Sequence, residues 1–203
     1  MEHRNVRLLG APVAPKSPQK TFQQHPAPNS NSVIRCPMEL NPYAKFLDGQ
    51  NPVPILAATA ERIRALTAGL TTGQINTPPA PRKWSISNLA AHLADCEIVF
   101  SFRLRQTLAP TLDQPHTIIQ PFDQDAWAGR YAAYQFAPAF ALFQAARNWN
   151  LLYLNTVSHD DRRRRTTHPE RGTMTFWTIV ETMAGHDINH LQQIERIAAI
   201  PTN

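Results

Sequence analysis

The stretch TFWTIVETMAGHDINHLQQIERIAAI, residues 175–200, reads as one long amphipathic helix. Thr175 stands where a hydroxyl can accept from a first-turn amide and cap it. Ile179, Met183, His186, His190 and Gln193 recur at steps of three and four, so they share one inward face. That face carries two imidazoles one turn apart, close enough to reach a single ion.

Working outward, three more helices of similar length are legible. Asn51-Pro52 reads as a cap with proline in the first turn, followed by Ile55, Leu56, Ile63, Leu66 and Leu70, and closed by Gly69 and Gly73. After the proline-rich connection 77–81, Ser85 is a cap with Asn88 as capping-box partner. A helix over roughly Ile86–Leu108 follows, with Leu89, Leu93, Cys96, Phe100 and Leu104 as its inner stripe. Pro138 opens the third long helix, ending near Ser158, with Ala141, Leu142, Ala145, Trp149, Leu152 and Tyr153 as its apolar face. Residues 109–137 form a crossover rich in proline and aromatics, with one short helix between Phe122 and Tyr134. No stretch alternates long enough to read as a strand, and no internal repeat is present. Four such helices with a long central crossover predict an all-α four-helix bundle.

Composition narrows the function classes. Glycine is scarce, at 7, against 18 prolines, and neither a dinucleotide fingerprint nor a phosphate loop occurs. No apolar run approaches the roughly 18 residues of a membrane span. The net charge of +5 sits mainly in residues 1–37, where Arg4, Arg7, Lys16, Lys20 and Arg35 face Glu2 alone. A nearly neutral body argues against nucleic acid as partner. Residues 1–37, interrupted by Pro12, Pro15, Pro18, Pro26, Pro28 and Pro37, are expected to be a disordered tail, and residues 38–203 the folded domain. Met38 is a plausible true start. Two cysteines, Cys36 and Cys96, make no disulfide framework and point to a reducing, cytoplasmic setting.

The chemistry concentrates in histidines. His3 and His25 lie in the tail, and His116, His159 and His168 in expected loops. His92, beside Leu93 on the inner face of the second helix, joins His186 and His190 as a third candidate ligand from a second helix. Three neutral imidazoles suit zinc or nickel and leave a coordination position open, the catalytic arrangement. Polar core histidines are the alternative. His186-Asp187-Ile188-Asn189-His190 also resembles H-E-x-x-H, but aspartate replaces the general-base glutamate and no third ligand follows downstream.

Other candidates are open. Cys96, one turn after His92, reads as a fourth ligand or redox neighbour, or as a small buried apolar residue. Asp95 and Glu97 read as groups that orient a histidine, or as surface charges. Glu97 is five residues from His92 and off its face. Asp187 and Asn189 point to bonding between helices, and His168 to the site mouth or to solvent. Arg162 to Arg165 read as a solvated run that could attract an anion. Trp127, Tyr131 and Tyr134 on the crossover are the expected wall of a small-molecule pocket.

Two motifs carry a resemblance. Residues 81–86, PRKWSI, with Ala91-His92-Leu93-Ala94-Asp95 and Glu97, resemble the first motif of the DinB/YfiT family; residues 168–175 with 185–191, GHDINHL, resemble its second. Met38–Tyr43 and Phe122–Asp125 fit as well, so the resemblance spans about residues 38–200. It implies a DinB-like bundle holding one divalent ion on His92, His186 and His190. It further implies a metal-dependent transferase or hydrolase acting on a small molecule, with a low-molecular-weight thiol as candidate co-substrate. A homodimer is the expected assembly, and a non-catalytic metal-binding or ligand-sensing bundle the alternative function. A chain beginning at Met38 is expected to melt at the same temperature as the full chain; a large loss by calorimetry would show that residues 1–37 pack on the bundle.

Overall fold

A computed structural model describes residues 40–109 and 117–201. The expectations for residues 1–37 and His116 lie outside them. The helices are α1 (Ala44–Leu47), α2 (Pro52–Thr67), α3 (Thr72–Asn76), α4 (Ile86–Leu108), α5 (Gln124–Ala128), α6 (Phe136–Leu154), α7 (His159–Arg162) and α8 (Phe176–Ala198). The strands are β1 (Thr117–Ile118), β2 (Arg165–His168) and β3 (Gly172–Thr175).

Local chemistry sets the boundaries. Asn51 Oδ1 accepts from the Val53 amide at 3.2 Å, with Pro52 in the first turn of α2. Ser85 and Asn88 close a reciprocal capping box on α4, with bonds of 3.2 and 3.1 Å. Thr175 Oγ1 accepts from the Thr178 amide at 3.1 Å and starts α8.

The four long helices, α2, α4, α6 and α8, form the bundle. α4 packs on α6 and α8, and α2 packs on α8 and α6, so the successive helices α2 and α4 lie across its diagonal. The buried apolar residues fall into two main clusters. One gathers Leu56, Phe100, Leu104, Phe176, Ile179 and Val180. The other gathers Ile63, Ile86, Leu89, Phe143, Leu191 and Ile194. On α8 and α6 the residues between them are polar: His186, Asp187 and His190 on one, Arg147 and Asn150 on the other.

Arg147 holds this polar layer. It is 2 % exposed, and it donates to Glu97 of α4 at 3.0 and 2.8 Å, to Asp187 of α8 at 2.5 Å and to the Leu56 carbonyl of α2 at 3.0 Å. Thr59 Oγ1 of α2 adds a bond to Asp187 at 2.8 Å, and Asn150 Nδ2 one to Glu97 at 2.8 Å. One guanidinium therefore ties α6 to the other three long helices.

Two expectations are corrected. α6 begins at Phe136 and buries Ala139, Phe143, Arg147, Asn150 and Leu154, while Leu142, Trp149 and Leu152 are 47, 63 and 62 % exposed. Its inner face is chosen by the partners of Arg147 and Asn150 rather than by hydrophobicity. The second correction is a small sheet where no strand was expected. β1 runs parallel to β2, and β2 antiparallel to β3, with His168 opposite Gly172. Strands of 2 and 4 residues are too short for alternation to show. The Thr166 hydroxyl donates to the Thr117 carbonyl at 2.9 Å, and the Phe176 amide to Arg164 O at 2.8 Å, which fastens the sheet to the start of α8. His159 accordingly opens α7 and His168 lies on a strand, not in loops.

Arg147→Ala is expected to cost about 3–5 kcal/mol, because it strands two buried carboxylates without a cation. At roughly 2–4 °C per kcal/mol for a chain of this size, the melting midpoint should fall by about 6–20 °C. An unchanged calorimetric midpoint would refute this role.

Candidate metal centre

His92 comes from α4 and the His186–His190 pair from α8, and the packing of these two helices brings all three together. His92 Nε2 lies 3.0 Å from His186 Nε2, and His190 Nε2 lies 3.1 Å from the same atom. The three side chains are buried, at 1, 4 and 5 % exposure. Bonds of 2.0–2.1 Å at tetrahedral angles would separate nitrogen ligands by roughly 3.3 Å, a few tenths from what is seen. His190 Nδ1 is buried without a hydrogen-bond partner. Three ring nitrogens packed this closely cannot all donate to one another, and a shared cation satisfies lone pairs that protons cannot.

The electrostatics keep the rings ready. Burial and then the neighbouring His186 lower His92 to about 3. Burial, with His186 and His92, holds His190 well below its usual value. Both are neutral at pH 7, as ligation requires. Burial pushes Asp187 up, but Arg147 outweighs it and the carboxyl settles at about 2. Asp187 Oδ1 is 3.9 Å from His186 Nδ1, too long for a hydrogen bond but close enough to bias the proton to Nδ1 and leave Nε2 as a ligand atom.

Aromatic rings wall the centre. Trp84 lies 4.7 Å from His92 and 6.4 Å from His190, centroid to centroid. Tyr43 meets His186 edge-on at 5.1 Å, and Phe100 does so at 6.1 Å. Tyr43 comes this close because residue 185 is glycine: a Cβ there would lie 2.5 Å from the Tyr43 carbonyl oxygen.

The remaining candidates divide. Cys96 is buried, and its Sγ lies 3.5 Å from His92 Nε2; burial pushes the thiol far up, so it is protonated near neutral pH. One ligand atom each from His92, Cys96 and His186 fit within 4.8 Å of one another. Glu97 is neither a surface charge nor a histidine partner but the anchor of Arg147. Asp187 bonds between helices, as expected. Asp95 lies beside Tyr131. His168 is 4 % exposed, so it is not a solvated loop residue. Tyr131 and Tyr134 line a cavity of about 540 Å³ with Trp84, Ser87 and Asn88, whereas Trp127 packs on Phe122. Arg163 pairs with Asp160 and Arg162 stacks on Trp177, leaving that run largely solvated.

Arg147 and Arg103 were not singled out from the sequence, and Tyr43 and Arg171 lie there only inside the segments that carry the resemblance. The one available signal was Arg147 itself, the lone charge in the 19 residues of α6.

The profile of the DinB superfamily matches residues 55–194, well over half of the chain. The chain belongs to the DinB superfamily. A relative from Geobacillus thermodenitrificans, named as a candidate metal-dependent hydrolase, is 26 % identical over 137 residues, covering 66 % of this chain and 75 % of its own length. One from Oceanobacillus iheyensis with the same kind of name is 28 % identical over 126 residues, covering 62 and 71 %. The solved structure of YfiT from Bacillus subtilis, described as a probable metal-dependent hydrolase with an unusual four-helix bundle topology, aligns with a TM-score of 0.62. It is 20 % identical, covering 71 % of this chain and 84 % of that one, and it supports the fold. No helix among the described residues is long and apolar enough to cross a membrane.

The depressed histidines set a pH dependence for metal-free protein. Between the ordinary value of 6.5 and about 3 the unfolded chain binds a proton at His92 that the folded chain does not. Stability therefore falls as pH drops through that window, by at most about 1.4 kcal/mol per pH unit for each such histidine. His92→Gln should flatten the decline in midpoint measured from pH 6.5 to 4.5; equal slopes would contradict it.

Proposed function

We propose that this protein is a metal-dependent hydrolase of a small molecule, with His92, His186 and His190 holding one divalent ion. The observation that carries the reading is that His186 Nε2 lies 3.0 Å from His92 Nε2 and 3.1 Å from His190 Nε2 in a buried layer. Zinc or nickel fits an all-imidazole donor set best. A bound ion there supplies Lewis acidity, polarising a substrate oxygen and acidifying water.

The chain's own residues do the rest. Arg147 holds Asp187, whose carboxylate lies 3.9 Å from His186 Nδ1, on the side of the ring away from Nε2. The layer of Glu97, Asp187 and Arg147 carries one excess negative charge, which favours a cation beside it. Trp84, Tyr43 and Phe100 exclude water from the flanks. Cys96 stays a protonated neighbour. The transferase chemistry implied by the family resemblance would use the same ion with a low-molecular-weight thiol, and it is distinguished by what the protein consumes.

Metal analysis of purified protein should find one divalent ion per chain. Each of His92→Ala, His186→Ala and His190→Ala should reduce it sharply, leaving the far-ultraviolet spectrum helical. Hydrolysis of an ester and amide panel should stop with chelator and return with zinc or nickel. Turnover only when a thiol and an electrophile are both present would select the transferase, and full metal content in all three variants would sink the ligand set.

A further inference from the structure

A second polar cluster flanks the centre. Arg103 lies on the α4 face that carries His92, Cys96 and Phe100, eleven residues on from His92, or roughly 16 Å along the axis. It is 9 % exposed. Its Nη2 donates to the Gln120 carbonyl at 2.8 Å and its guanidinium sits over Phe122, yet its Nε is buried with no partner. Arg171, in the turn between β2 and β3, is half-buried, and its Nε is likewise buried and unpartnered. Both line one cleft with His168, Phe100 and Thr182. Among the described residues the arginine ion pairs belong to Arg62, Arg64, Arg147 and Arg163, so neither cleft arginine has a carboxylate.

His168 adds a third donor. Its Nδ1 accepts from the Glu170 amide at 3.3 Å, so the neutral ring carries its proton on Nε2. Burial, then Arg103 and Arg171, keep it neutral. Among the described residues no carboxylate pairs with either guanidinium, which is costly for two that face one cleft, and a ligand that brings the negative charge removes the cost. Arginine forks match carboxylate and phosphate oxygens best.

We propose that Arg103, Arg171 and His168 form an anion subsite, and that the substrate is a small molecule bearing a carboxylate or phosphate. The substrate part rests on the hydrolase reading; the subsite does not. The cleft has space of about 20 Å³, room for about one water, so an oxygen of the anionic group enters it and the rest of the molecule stays at its mouth. Leu40 and Arg171 form its rim. Thr182 and Ile179 of its wall precede His186 by four and seven residues, which sets the anion roughly 6–10 Å along α8 from the imidazoles. Phe100 stands between, touching both sites.

Calorimetric titration of the full-length, chelator-treated chain with inorganic phosphate, and separately with acetate, at fixed ionic strength, should show one saturable site for at least one anion. Whichever binds identifies the phosphate or the carboxylate source. Arg171→Gln and Arg103→Lys should each weaken that site at least tenfold, and His92→Ala should leave it within twofold. Arg171 lies in a turn, so its variant carries the test should Arg103→Lys not fold. No saturable binding of either anion, binding that Arg171→Gln leaves intact, or an equal loss in His92→Ala overturns the proposal. Because these titrations need no metal, their failure is distinct from an absence of bound ion in the metal analysis.

Discussion

The buried Arg147 is the constraint around which the bundle is arranged. A guanidinium at 2 % exposure is intolerable without full compensation, so its position dictates what the other three long helices must offer. α4 supplies Glu97, α8 supplies Asp187, and α2 supplies a backbone carbonyl together with Thr59. An apolar core of the same volume could slide or rotate by a turn at little cost. This layer cannot, because each shift would leave a charge unpaired. Register between α4 and α8 follows, and with it the placement of His92 against His186 and His190.

Charge balance explains why structural and chemical layers coincide. Two carboxylates and one guanidinium leave the layer negative, and His92 and His190 beside it are neutral. That excess negative charge offsets part of the charge of a dication placed beside it. The same layer then holds the bundle in register and makes a favourable seat for an ion, so one set of residues serves both ends.

Much of this was legible in the sequence. The caps Asn51, Ser85 and Thr175, the extent of α4 and the inward stripe of α8 followed from local rules, since each depends on residues within a turn or two. That His92, His186 and His190 face inward was readable for the same reason. What escaped depends on pairing across long sequence separations. Glu97 looks like a surface charge until Arg147, fifty residues on, is brought beside it. The outer face of α6 is more apolar than the inner one, so hydrophobicity pointed the wrong way there. The small sheet escaped because its strands are too short for a period to register, and Arg103 and Arg171 because one is on a helix and the other in a turn.

Trp84 lies against the imidazoles, with its ring 4.7 Å from that of His92. Three other tryptophans stand elsewhere, Trp127 on α5, Trp149 on α6 and Trp177 at the start of α8, nine residues before His186. Indole emission is sensitive to electron and energy transfer at contact range. An open-shell ion such as nickel quenches it, whereas closed-shell zinc does not by that route. The molecule thus carries a built-in optical probe for an ion placed at these histidines, readable from intrinsic fluorescence without a dye or a label.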